Sequence, residues 1–209
     1  MAAINDNLQA VAARIRNAAR AAGRDPSIVQ MLAVTKTVPS AAIEEAVAAG
    51  LRSFGENYVQ EALAKRKELG SPGIHWHLIG PLQSNKARAA AECFDWVHTI
   101  DREKVALRLS EARSADAPPL NVRIQVNVSG EATKSGVPPN EVAALARSIA
   151  PIARLRLRGL MAIPEPTDDP ELQQRRFRSV RELFDRLNEE GAALATLSMG
   201  MCQDLEAAG

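Results

Sequence analysis

Short apolar runs alternate with longer stretches in which apolar residues recur every three or four positions, almost from one end of the chain to the other. The short runs predict strands over 31–35, 51–54, 75–79, 96–100, 122–128, 157–162 and 195–198. The longer stretches predict helices over 40–49, 59–68, 85–92, 102–111, 140–150 and 171–190, after an opening amphipathic helix over 3–22 packed on the outside. Strand followed by helix, repeated with short connections, is the signature of βαβ units around a parallel sheet, which places the chain in the α/β class. Seven strands at a spacing of roughly 20–30 residues fit a TIM-type (β/α)8 barrel. An open doubly wound sheet fits less well, because no glycine-rich dinucleotide turn follows the first strand. No linker or low-complexity tract divides the sequence, so residues 1–209 read as a single domain.

Composition narrows the class of partner. The formal net charge is +1 and 24% of residues are charged, with no long run of either sign. Neither nucleic acid nor an anionic membrane is suggested by that balance. No apolar stretch reaches the roughly 18–20 residues of a membrane helix, and two cysteines in a chain of this length suit a reducing cytoplasm. The positive charge is mostly arginine. Only Lys36, Lys65, Lys67, Lys86, Lys104 and Lys134 are lysines, which draws attention to any lysine at a strand end.

In a parallel barrel, chemistry collects where strands end and loops to the next helix begin. Lys36 follows "MLAVT", on the face of Val34 and Leu32 if the strand reaches it. Apolar neighbours would lower its pKa and free the amine to attack carbonyls, as a Schiff base requires; a lysine snorkelling from a strand end is the plainer alternative. "FGEN" ends the second strand, where Asn57 can present an amide to a ligand or cap a helix. In "IHWHLIG", His75 and His77 share one face of the third strand; with His98 they raise a metal-hydrolase alternative. Met161 and Ala162 end the sixth strand, as soft contact for a flat ring or as core. In "LSMGM", Ser198, Gly200 and a following helix suggest a phosphate cradle. A desolvated lysine on the first strand and an anion cradle on the seventh point to a phosphorylated aldehyde or ketone. Pyridoxal phosphate and the substrate of a Schiff-base aldolase both qualify.

Several of these segments together resemble the pyridoxal phosphate homeostasis protein family, small single-domain relatives of the alanine racemase barrel domain. The matching stretches are "AVTKT", "FGENYVQEA", "HWHLIGPLQSNK", "VNVSGEATKSG", "RGLMAIP", "FDRLN" and "LSMGM", in order over nearly the whole chain. The resemblance implies a barrel of the alanine racemase N-terminal type that holds pyridoxal 5′-phosphate covalently on Lys36. It also implies that Asn57, His77 and Met161 line the cofactor pocket and that Ser198 and Gly200 hold the phosphate. Alanine racemase adds a second domain bearing a catalytic tyrosine; here the sole tyrosine is Tyr58. The expectation is therefore a cytoplasmic, monomeric cofactor carrier without robust turnover, exchanging pyridoxal phosphate with dependent apoenzymes and using no metal. A racemase-like enzyme acting on amino acids is the alternative. Family members continue past "DLEAA" into a final strand that completes the phosphate site. The sequence reaches Gly209 without one, so an edge between the first and seventh strands is expected to be unpaired and cofactor affinity weakened.

Overall fold

A computed structural model describes residues 2–70, 73–130 and 135–208. The described elements run α1 (Ala2–Ala21), β1 (Ala33–Val34), α2 (Ser40–Ala48), β2 (Ser53–Glu56), α3 (Val59–Leu69), β3 (His75–Leu78), α4 (Ala87–Cys93) and β4 (Trp96–Ile100). They continue with α5 (Glu103–Ala112), β5 (Leu120–Gln125), α6 (Val142–Ile149), β6 (Leu155–Met161), α7 (Pro170–Glu189), β7 (Thr196–Ser198) and α8 (Leu205–Ala208). All seven expected strands are present, and every neighbouring pair is parallel, in the order β1-β2-β3-β4-β5-β6-β7.

Alternation along the strands separates two faces. Phe54, Leu78, Val97, Val122, Ile124 and Leu160 are fully or almost fully buried and pack under the helices, against Ile43, Ala62, Ala90, Leu109, Val142 and Val180. Residues between them point to the inside of the curl. The helices cover the sheet because each βα turn ends in local chemistry that starts or stops a helix. Asp169 accepts hydrogen bonds from the Glu171 and Leu172 amides at the start of α7, with Pro170 at its first position. Gly70 ends α3 in the left-handed conformation (φ 53°). The asparagine of "FDRLN" has a structural use: the Asn188 amide both donates to and accepts from the backbone of Leu194, joining α7 to the approach of β7.

The sheet curls without closing. β1 and β7 are the two ends of the strand order and do not pair with each other among the described residues. The curl nevertheless brings β7 over the interior, since Ser198 reaches His98 on β4 at 2.9 Å. Outside the sheet, α1 packs against α2 and α8, and Arg14 forms a two-pronged ion pair with Glu206. No described helix is long and apolar enough to cross a membrane.

Candidate functional site

The interior of the curl is polar. His77 lies flat on Trp96, with ring centroids 5.5 Å apart and an interplanar angle of 8°. His77 Nδ1 is 2.9 Å from His98 Nε2, and His98 Nδ1 is 2.9 Å from Ser198 Oγ, so hydrogen bonds run from β3 through β4 to β7. The Arg123 guanidinium sits over Trp96, 4.3 Å from the ring centroid, and touches both ring nitrogens of His98. Its Nε donates to Thr196 Oγ1 at 3.0 Å. The Arg158 guanidinium lies over the same indole, 5.9 Å from the ring centroid. Burial, reinforced by the Arg123 charge, pushes His77 down to about 3 and His98 well below the usual imidazole range. Burial and the neighbouring Arg158 bring Arg123 down to about 10. Both imidazoles are thus neutral at physiological pH. His77 Nε2 and Arg158 Nε are buried with no hydrogen-bond partner among the described residues.

The predicted site residues divide into those this chain of contacts joins and those it does not. His77 and Ser198 are linked through His98, and Met161, almost fully buried, is the direct register partner of Ser198. Asn57 follows β2 with its backbone against Gly80 after β3. A Cβ at Gly80 would fall 2.2 Å from the Asn57 carbonyl oxygen, so only glycine fits there. Lys36 follows the shortest strand: β1 ends at Val34, and Thr35 extends the ladder by one hydrogen bond to the Gly55 carbonyl. The expectation of a desolvated lysine is corrected. Lys36 is exposed, and Val34 on its face is 46% exposed, at the edge of β1 that pairs with no other strand among the described residues. Two further expectations change. The helix expected over "CQDLEAA", from Cys202, begins only at Leu205. Between them Asp204 accepts the Met201 amide and spends it locally. His75 is exposed at the start of β3 while His77 and His98 are buried together, and no cluster of three metal-ligating side chains occurs among the described residues. Of "VNVSGEATKSG", residues 131–134 lie outside the described residues.

Sequence reasoning missed two groups of polar residues. One is Arg123, Arg158, Trp96 and Thr196 inside the curl; the alternation of Val122, Ile124 and Val126 with Arg123, Gln125 and Asn127 was the available signal. The other lies behind Lys36, on the helix side of the sheet. Glu56 is fully buried, and its Oε1 accepts hydrogen bonds from Lys65 Nζ at 2.8 Å and Thr35 Oγ1 at 2.6 Å. Lys65 also donates to Glu61 Oε1 at 2.7 Å and to the Thr35 carbonyl at 2.6 Å. Although burial opposes its charge, bonds to the two carboxylates raise the Lys65 pKa, and the Lys65 bond in turn lowers that of Glu61. Thr37, just past Lys36, has φ 62°, a left-handed conformation costing a β-branched residue about 1–3 kcal/mol.

A cleft of about 330 Å³ lined by Arg66, Gly73, Trp76 and Asp95 opens at the opposite, N-terminal end of the strands. The C-terminal end differs in character. Val34, Tyr58, Ile163 and Met201, at or just after the ends of β1, β2, β6 and β7, are all large apolar side chains left exposed there.

Residues 7–208 match the model of the family described as "Alanine racemase, N-terminal domain". A protein of Pseudomonas aeruginosa called pyridoxal phosphate homeostasis protein is 59% identical over 208 residues, covering 100% of this chain and 89% of its own length. One of the same name from Escherichia coli K12 is 50% identical, covering 98% of this chain and 89% of its own length. The chain belongs to the pyridoxal phosphate homeostasis protein family. Among solved structures, PipY of Synechococcus elongatus with PLP bound superposes with a TM-score of 0.81 at 37% identity, covering 95% of this chain and 92% of that one. Alanine racemase of Clostridium difficile superposes at 0.75 with 14% identity over 96% of this chain and 52% of the racemase, a likeness of fold alone. The seven-stranded parallel curl is therefore the alanine racemase N-terminal fold, with β7 and β1 not paired with each other among the described residues. Within the pyridoxal phosphate homeostasis protein family, the strand-end residues above become the natural candidates for a ligand site.

Proposed function

We infer that this chain binds pyridoxal 5′-phosphate, with Lys36 as the covalent anchor, and serves to hold and release the cofactor in pyridoxal phosphate homeostasis. The observation that carries the reading is the placement of Lys36. It is a reachable amine at the C-terminal end of the first strand, at the open end of a curl whose rim carries exposed apolar side chains and whose interior is polar and aromatic. Such a position suits capture of a flat aldehyde from solution.

The remaining residues fit a flat ring with an anionic tail. Met161 and the His77–Trp96 stack offer planar and polarizable surfaces, with Met161 and His77 buried and Trp96 half-buried. His77 Nε2 is a buried polar atom still lacking a partner, and Gly200, at φ 85°, keeps the backbone after β7 open because a Cβ there would meet Ala208 Cβ at 2.8 Å. Asn57 supplies an amide beside β3, and Ser198 fixes the turn through His98. Bound to a lysine, the cofactor supplies an aldehyde carbon that the amine holds reversibly with loss of water. Holding and releasing it asks for nothing more from the protein than an accessible amine and a place for the phosphate. Turnover of an amino acid would ask for a proton acceptor near neutrality, and His77, held neutral down to about pH 3, is a poor one. A carrier working in the cytoplasm and passing the cofactor to apoenzymes follows from that reading.

The test is a spectral titration. Adding pyridoxal phosphate to the wild-type chain is expected to produce a visible absorbance band beyond that of the free aldehyde. The Lys36→Ala chain should produce none. An equal band in both chains would place the anchor elsewhere.

A further inference from the structure

Lys36 makes no hydrogen bond through its ammonium among the described residues, yet both its neighbours in sequence are held tightly. On the N-terminal side, the Thr35 carbonyl accepts from Lys65 Nζ at 2.6 Å, and the Thr35 hydroxyl donates to Glu56 Oε1 at 2.6 Å. On the C-terminal side, the Thr37 amide donates to Glu61 Oε1 at 2.6 Å, in the left-handed conformation that a threonine avoids unless held there. One oxygen of Glu61 and one ammonium join the two sides: Lys65 Nζ donates to Glu61 Oε1 and to Glu56 Oε1 as well as to Thr35, which uses all three of its donors.

Lys65 occupies a position where an apolar residue would ordinarily stand. On α3, Val59, Ala62, Lys65 and Leu69 form the buried stripe facing the sheet. A buried ion network is weak as a source of stability, since desolvation offsets the attraction between the charges. Its geometry here is what distinguishes it: Lys65 and Glu61 reach the backbone on either side of Lys36, while Glu56 holds Lys65 and the Thr35 hydroxyl through Oε1 and leaves its buried Oε2 without a partner among the described residues.

We propose that Lys65 and Glu61 are positioning residues for Lys36, the buried Glu56–Lys65–Glu61 network clamping Thr35 and Thr37 so that the amine leaves the sheet in one fixed direction. The proposal rests on the reading of Lys36 as the cofactor anchor. A side chain with no anchoring contact among the described residues takes its placement from its backbone, and misplacing a reacting group by about 1 Å costs on the order of 100-fold in rate. Glu61 is the workable target because its side chain is a quarter exposed, whereas truncating Lys65 strands a buried carboxylate.

The experiment measures the rate and equilibrium of aldehyde capture by stopped-flow absorbance for wild type, Glu61→Ala and Glu61→Gln, with thermal midpoints recorded in parallel. Pyridoxal phosphate and phosphate-free pyridoxal are both used as probes. Glu61→Ala should slow capture of both aldehydes about tenfold, because the defect lies at the amine and not at the phosphate. Glu61→Gln, which still accepts the Thr37 amide, should stay within about threefold of wild type. Unchanged capture in Glu61→Ala, with or without a lowered thermal midpoint, overturns the proposal and leaves the network a purely structural feature. Slowing confined to pyridoxal phosphate overturns it too. If wild type itself captures neither aldehyde, the Lys36 reading fails first, and the proposal with it.

Discussion

His77 and His98 face each other inside the curl with Arg123 beside them, and their shared neutrality has a consequence for stability. Each binds a proton readily when the chain is unfolded, near pH 6.5, and resists it when folded, His77 until about pH 3. Between those values the unfolded state holds more protons, so stability rises with pH and is lost on acidification below about 6.5. The slope approaches about 1.4 kcal/mol per pH unit for each imidazole. Urea midpoints measured at pH 7.5 and pH 5 should therefore fall on acidification, and His77→Gln should flatten the difference; an unchanged slope would deny that His77 is buried neutral. The behaviour of such residues was only half legible. Alternation put His77 on one face of its strand, but its partners, His98 and Ser198, come from two other strands and are joined only by the curl. Lys36 shows the converse. Its place at a strand end was plain from "MLAVTKT", while its exposure depends on which strands flank β1, which no local pattern encodes. Glu56 and Lys65 carried a signal that could have been used: a carboxylate on the same face as buried Phe54, and a lysine within an apolar helical stripe. Cutting that pair on one side, as in Lys65→Met, should destabilise the chain by about 3–5 kcal/mol in chemical denaturation. A loss below about 1 kcal/mol would show the pair to be hydrated rather than buried.

At the scale of elements, the seven strands were readable because short apolar runs bounded by helical patterns leave few alternatives, and their ends moved by only a few residues. What the pattern did not contain was the contact between elements. Gly159 on β6 illustrates it. A Cβ there would lie 1.7 Å from the Thr196 carbonyl oxygen on β7, so the close approach of these strands depends on a missing side chain. The sequence "RGLMAIP" offers a glycine without saying which backbone it meets. Gly159→Ala is expected to split β6 from β7, loosening Ser198 from His98, and to destabilise the fold by on the order of 3 kcal/mol or more. Far-ultraviolet circular dichroism with a denaturant series checks this; a stability within about 0.5 kcal/mol of wild type would mean that β7 does not pack as described. The helix after β7, expected over "CQDLEAA" from Cys202, begins later, at Leu205, because an aspartate at position 204 that takes the Met201 amide looks, in sequence, like an ordinary polar helix residue.

For the whole molecule, the polar interior and the exposed apolar side chains at its rim belong to one open curl, and a ligand that binds only the folded chain must stabilise all of it. Cofactor at about one hundred times its dissociation constant should add about 2.7 kcal/mol. For a chain of 209 residues that raises the thermal midpoint by roughly 5–10 °C. The same addition should leave Lys36→Ala almost unmoved. The most direct measurement asks where the cofactor sits. Pyridoxal phosphate is added to the purified chain, the adduct is reduced with borohydride, and peptides are mapped by mass. A phosphopyridoxyl mass on the peptide containing Lys36, and absent from peptides bearing the other lysines, is the result this account predicts. The same mass spread over several surface lysines, or found on Lys65 or Lys86 in place of Lys36, would contradict it.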